Sequence, residues 1–364
     1  MILHRYFARR FAVTFAAVFA SFALLMLLID IVEQLRRFGS VAAFSDLFQM
    51  SLLNLPSGLY MILPLIMVLA TISMFLGLAR SSEMVVTRAA GRSALRALVA
   101  PLLVSLLIGA VMVAAFNPIV ASTSKEYEAR ESQLRAGGSS VLAFSDNALW
   151  LRQGDTAGQT VIRADRATLD GTEMQGVSFI TFALDGGPVR RIEAASARLT
   201  PGGWDLTDAK VWPLDRGRIA EVWATTHDTL RVPSTLTPDQ IRDSFGAPSS
   251  VPIWELPAFI QRLELAGFSA SRHQVWFQME LALPFFLVAM VMIGAAFTMR
   301  QQRGGKTGAL VLTAVLICFA LFFLRNFSQI LGENGQIPVA LAAWAPPLAA
   351  IGAALGLLLH LEDG

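Results

Sequence analysis

Six stretches of this chain stay apolar for about 18 residues or more, the length at which a helix crosses the hydrocarbon core of a bilayer. They run over residues 11–31, 55–78, 97–116, 275–298, 308–327 and 337–359. The first has an apolar core longer than the usual ~7 to 15 residues of a cleaved signal, and no small-x-small site precedes Asp30 and Glu33. It is expected to remain as an anchor.

The 155 residues from 118 to 272 follow a different pattern. Segments such as SVLAFSDNALWLRQ, QTVIRADRATLDG, VSFITFALDGG, RRIEAASARLTPGGWDLTDAKVW and RIAEVWATTHDTLRV are short β-prone runs broken by Gly, Pro and Asp. Over 192–199 a period of two places Ile192, Ala194, Ser196 and Arg198 on one face and Glu193, Ala195, Ala197 and Leu199 on the other. Regular short strands with turn signals imply a β sandwich or jelly roll, large enough to bury a core of its own. Helices are expected on both flanks, over 121–135 and 252–266. In the second, Ile253, Leu256, Ile260 and Leu263 recur at helical spacing, as in a strut. The fold class is therefore an α-helical membrane protein with six transmembrane helices and an inserted all-β, jelly-roll-like domain between the third and fourth. The boundaries fall at 1–117, 118–272 and 273–364.

Basic residues in short loops set the orientation. Arg5, Arg9 and Arg10 precede the first span. Arg80, Arg88, Arg92 and Arg96 stand against Glu83 between the second and third, and Arg300, Arg303 and Lys306 lie between the fourth and fifth. All three clusters are expected to face the cytoplasm with both termini, which puts the β domain outside. Arg36 and Arg37, just past the first span, break that rule.

Composition agrees with a membrane protein: 54% of the 364 residues are hydrophobic, 15% are charged, and the mean hydropathy is +0.56. The single cysteine, Cys318, falls inside a span, so no intramolecular disulfide can staple the β domain. His4, His227, His273 and His360 are scattered without ligand spacing, and no metal site is expected. The GGKT of MRQQRGGKTG lacks the first glycine of a phosphate-binding loop, since Arg300 stands there, and it reads as a basic cytoplasmic turn. With no catalytic set, nucleotide fingerprint, cofactor motif or nucleic-acid signature, the chain is not expected to be an enzyme.

One loop carries more pattern than a turn needs. RSSEMVVTRAAG, residues 80–91, taken as a helix, gathers Glu83, Val86, Thr87 and Ala90 on one face, stacks Met84 and Arg88 on another, and stops at Gly91. Such a segment is either a solvated interfacial turn or a docking element for a soluble subunit.

These residues resemble the LptF/LptG family, the paired permeases of the lipopolysaccharide exporter, on the LptG side of the pair. The family's Ser-Glu, aliphatic pair and small-residue-Gly ending are matched by Ser82, Glu83, Val85, Val86, Ala90 and Gly91. Further matches are Pro56 and Pro64 of the second span, Glu33, Gln34, Leu35, Arg36 and Arg37 after the first, and Pro284 in the fourth. Two positions depart: Glu280 stands where a basic residue is expected, and Asp30 where relatives can carry lysine. Glu280 would then pair with Arg325 or with a partner chain.

The resemblance implies a permease that borrows ATP hydrolysis from an LptB-like cytoplasmic ATPase dimer, docked through Glu83, Val86, Thr87 and Arg88. It also implies an LptF-like permease as heterodimer partner, a single-span LptC-like protein, and an LptA-like periplasmic bridge that receives lipopolysaccharide. Arg36, Arg37 and Arg325 are the expected lipid-headgroup contacts, because arginine meets phosphate bidentately. The competing reading for these arginines is snorkelling to ordinary anionic headgroups. Two other functions fit less well. A lipoprotein-release or efflux permease usually has four spans, and a non-transport anchor leaves the loop and the arginines without a role.

Overall fold

The computed structural model describes residues 2–81, 83, 94–135, 149–155, 158–168, 172–183, 187–214, 219–234, 248–265, 269–299 and 307–363. The chain divides into two compact units. One comprises Met1–Arg135, Pro248–Pro257 and Ser271–Gly364, the other Ala136–Ala247 and Ala258–Ala270.

The first unit is helical. Its elements are α1 (Ile2–Phe38), α2 (Phe44–Met61), α3 (Leu63–Arg80), α4 (Ala94–Val111), a π-helical turn (Met112–Phe116) running into α5 (Asn117–Arg135), and, after the sheet, α7 (Ser271–Thr298), α8 (Thr307–Glu333) and α9 (Val339–Asp363). In chain order the helix α6 (Leu256–Leu265) follows the last strand and precedes α7. Among the described residues six helical stretches are long and apolar enough to cross a membrane: Leu3–Phe38, Leu63–Arg80, Arg96–Glu131, Ser271–Thr298, Gly308–Glu333 and Val339–His360.

The second span differs from expectation. The run 55–78 is not one helix but the end of α2 and all of α3, broken at Ile62 (φ −92°, ψ 4°). The cause is Pro64, which has no N–H to continue the ladder and whose ring crowds the carbonyl four residues back, that of Tyr60. Pro56 and Pro284 stay inside α2 and α7. The expected flanking helix at 121–135 begins earlier, at Asn117, continuous with the π turn, and the one at 252–266 begins later, at Leu256.

α7 is the packing centre of this unit. It contacts α3, α4, α8 and α9, and most of its residues are buried. The approach to α4 is closest at Gly109, where an added Cβ would stand 2.6 Å from the Pro284 Cα. α1 and α8 are the reverse, with few buried residues along their apolar lengths. Leu24, Leu28, Val32, Leu312, Phe323 and Phe327 stand exposed, as side chains facing lipid or other helices do.

The second unit is built on one six-stranded antiparallel sheet in sequential order, β1 (Leu149–Asp155), β2 (Gly158–Ala167), β3 (Glu173–Ala183), β4 (Pro188–Thr200), β5 (Gly203–Pro213) and β6 (Thr225–Pro233). Among the described residues the hydrogen bonding gives this single meander rather than two separate sheets. Its buried face gathers Leu151, Ile162, Phe179, Ile192, Trp204 and Leu206, with Phe179 edge-on to Trp204 at 6.3 Å.

The alternation along these strands breaks in one line across the sheet. Ala164, Val177, Ala194 and Ala209 pair in one buried row, and Ala167, Met174, Ala197 and Leu206 in another. Between the rows each strand takes two outward residues, Asp165–Arg166, Gln175–Gly176, Ala195–Ser196 and Thr207–Asp208. A strict period of two would have turned the next residue to solvent. The left-handed backbone of Gly176 (φ 62°) and Asp208 (φ 52°) on alternate strands lets the sheet crease and keep its apolar side inward. This corrects the face expected for 192–199: Ile192 and Ala194 are buried, and beyond the crease Ala197 and Leu199 replace Ser196 and Arg198.

Candidate functional site

The last turn of α3 delivers Glu83 to the N-terminal turns of α1. Ser81 closes α3 by donating its N–H to the Gly77 carbonyl at 3.1 Å, and its hydroxyl turns forward to Glu83 Oε1 at 2.8 Å. The Tyr6 hydroxyl of α1 donates to Glu83 Oε2 at 2.7 Å. Each carboxylate oxygen therefore receives one hydroxyl. The hydrogen bond from Tyr6, then that from Ser81, with Arg10 adding attraction, hold the Glu83 carboxyl below its ordinary range, so it is an anion at neutral pH. The other expected docking residues, Val86, Thr87 and Arg88, lie outside the described residues.

At the far end of α1 the two expected headgroup arginines share an acid. Glu33 Oε1 accepts from Arg36 at 3.1 Å and from Arg37 at 2.6 Å, the i,i+3 and i,i+4 spacings of one helix face. Arg37 also lies 3.8 Å from Glu131 of α5. The side chains are 77% and 47% exposed, so both guanidinium groups are reachable, but the cluster carries two acids for two bases. One helical turn before Gln34, Asp30 accepts from Asn54 of α2 at 2.8 Å, and Gln34 donates to the Tyr127 hydroxyl of α5 at 2.9 Å. Asp30 is thus bound within its own chain.

Arg325 does not stand with the other two arginines. It is half-buried on α8, its guanidinium 5.7 Å from the centre of the Phe286 ring of α7 and within electrostatic reach of Glu280. No direct ion pair joins Arg325 to Glu280. The partners of Glu280 are instead the Tyr60 hydroxyl of α2 and the Asn117 amide at 3.3 Å. The Asn117 oxygen in turn accepts from the Ile253 N–H at 3.0 Å, and the next residue, Trp254, donates its indole N–H to the Ala114 carbonyl inside the π turn at 2.9 Å. The acceptor lies in the π turn, where the regular i→i+4 ladder of the helix is interrupted. One buried node thereby joins α2, α7, α5 and the segment that returns from the sheet.

Tyr6, Tyr60, Asn117 and Trp254 went unnoticed in the sequence. Three of them lie 77, 220 and 140 residues from their partners, and no local period signals such contacts. The only hint was Glu280 itself, since an acid within a span requires a partner.

The family described as lipopolysaccharide export system permease LptF/LptG matches residues 5–360. Lipopolysaccharide export system permease protein LptG of Haemophilus influenzae is 24% identical over 351 residues, covering 91% of this chain and 92% of that protein. The protein of the same name from Escherichia coli K12 is 23% identical over 362 residues, covering 97% and 94%. With three spans, an antiparallel sheet and three further spans inside a family match over nearly its whole length, the chain belongs to the LptF/LptG family of lipopolysaccharide export permeases.

Proposed function

We propose that this chain is the LptG-like half of a heterodimeric permease that extracts lipopolysaccharide from the inner membrane, with Glu83 as the carboxylate that docks a separate ATPase. The observation that carries the proposal is the family match over residues 5–360, together with a Glu83 held anionic at the end of α3. The physical need is plain. Withdrawing acyl chains from a bilayer costs roughly 0.8 kcal/mol per CH₂, and this sequence has no phosphate-binding loop to meet that cost itself. A docking carboxylate is the minimum device for borrowing it.

In this reading the segment 118–272 is periplasmic and its β part jelly-roll-like, the creased sheet passing lipid to an LptA-like bridge, with an LptC-like span beside the permease. Arg36, Arg37 and Arg325 serve the headgroup side, and Val86, Thr87 and Arg88 complete the docking face around Glu83. The LptF-like partner supplies the other wall of the cavity. Both chain termini lie in the cytoplasm.

Two experiments test this. Pull-down of the ATPase by detergent-solubilised permease, with ATP-driven lipid release from liposomes, should fail for Glu83→Lys. In a Cys318→Ser background, Thr226→Cys should react with an impermeant thiol reagent in spheroplasts and Gly308→Cys only after lysis. Normal docking by Glu83→Lys, or the opposite labelling, would overturn the proposal.

A further inference from the structure

We propose that Tyr6 is the positioning residue that fastens the Glu83 docking carboxylate to α1, so that movement imposed on the loop by the ATPase is delivered directly to the first span. The inference rests on the reading of Glu83 as the docking group. The geometry carries it in three steps.

First, the contact crosses between elements. Tyr6 and Glu83 lie 77 residues apart, and the 2.7 Å bond spans from α1 to the end of α3. Arg10, one turn after Tyr6 on the same helix face, brings its guanidinium to 3.8 Å from the position of a Cβ on Gly77, so α1 meets the end of α3 at two successive turns. The residues that follow each of them, Phe7 and Phe11, 1% and 0% exposed, anchor this end of α1 in the helical unit.

Second, α1 is the stiffer route. It runs 37 residues without an interior proline or glycine, about 55 Å at 1.5 Å per residue. α3, to which Glu83 is covalently tied, ends after 18 residues at the break before Pro64. A displacement entering at Glu83 through α3 meets that break at Ile62. One entering through Tyr6 reaches the Glu33, Arg36 and Arg37 cluster along unbroken helix.

Third, the bond keeps Glu83 charged for its work. Tyr6 and Ser81 donate one hydroxyl to each carboxylate oxygen. The Tyr6 bond is also the largest cause of the lowered Glu83 carboxyl, so its loss raises that group toward its ordinary range.

The test is Tyr6→Phe, which removes the hydroxyl and keeps the ring, measured beside Glu83→Lys in the complete permease–ATPase complex in liposomes. Tyr6→Phe should leave pull-down and ATP hydrolysis near wild-type while lipid released per ATP falls by about five-fold, roughly the net worth of one hydrogen bond. The acid-side midpoint of release should move to higher pH. If Tyr6→Phe keeps the wild-type ratio and midpoint while Glu83→Lys abolishes docking, the role given to Tyr6 is wrong and the docking reading stands. If Glu83→Lys docks and releases normally, the docking reading itself fails and this inference with it. A proportional fall of docking, hydrolysis and release in Tyr6→Phe with an unmoved midpoint marks simple damage to packing and also overturns the inference.

Discussion

Tyr60 of α2 donates its hydroxyl to Glu280 of α7, a carboxylate wholly shielded from solvent in the most buried helix of the unit. Asn117 donates to the same oxygen and hands its own oxygen to the Ile253 N–H. The node is therefore a junction of hydrogen bonds more than an ion pair, and the two kinds of junction respond differently to mutation. Glu280→Ala strands the Tyr60 hydroxyl and the Asn117 amide at about 1 to 3 kcal/mol each. Glu280→Gln keeps an acceptor oxygen and should cost far less. Thermal unfolding of the detergent-solubilised protein should rank wild type, Gln and Ala in that order. Equal Tm values for Gln and Ala would mean that the charge of Glu280, set against Arg325, matters more than its hydrogen bonds.

A tighter contact holds α4 to α7. An added Cβ on Gly109 would stand 2.6 Å from the Pro284 Cα, which is backbone and cannot turn aside as a side chain would. Gly109→Val should therefore force the helices apart, with the cost of an overpacked core at about 1 to 3 kcal/mol or more. The expected outcome is a lower Tm and a smaller folded fraction in size-exclusion chromatography. Gly352→Val, at an open position on α9, should do neither.

These contacts show what the sequence could and could not reveal. The helices were legible because each is a long apolar run, and the sheet because turn residues punctuate β-prone segments at regular intervals. The break at Ile62 lay within reach, since Pro64 was visible, but a continuous apolar run masked it. The mixture of apolar and polar residues on each face of 192–199 was a real signal. It recorded the crease, where the outward pair Ala195–Ser196 shifts the buried set from Ile192 and Ala194 to Ala197 and Leu199. In the candidate site Glu83 announced itself through its loop, whereas Tyr6 looked like any aromatic residue near a membrane surface. Contacts set by packing across long separations leave no periodic trace.

The crease yields its own prediction. Gly176 holds φ at 62°, and a Cβ there would come within 2.7 Å of an Asp165 carboxylate oxygen. Gly176→Val combines a left-handed backbone, costing about 1 to 2 kcal/mol for an L-residue, with that clash. Hydrogen exchange should speed up in β2 and β3, while the helical unit, a separate compact body, keeps wild-type protection. Asp208→Gly relieves the same backbone strain on β5 (φ 52°) and should slow exchange there.

The arginines at the end of α1 provide the sharpest test of the headgroup proposal, because Glu33 already occupies both of them. If Arg36 and Arg37 meet lipid phosphate, they do so in competition with a carboxylate bonded at 3.1 and 2.6 Å. Replacing both by Glu substitutes repulsion for attraction and should lower crosslinking of lipopolysaccharide by about ten-fold while leaving the assembled complex intact. Glu33→Gln acts in the opposite sense. It removes the competing charge, leaves the helix intact, and should raise crosslinking, most clearly at low salt, where exposed charges are least screened. The snorkelling alternative predicts otherwise: arginines that only sit among ordinary anionic headgroups would alter general membrane affinity and leave lipopolysaccharide crosslinking unchanged in both variants. A rise for Glu33→Gln together with a fall for the double reversal would show that these two side chains recognise the transported lipid and that Glu33 moderates its grip.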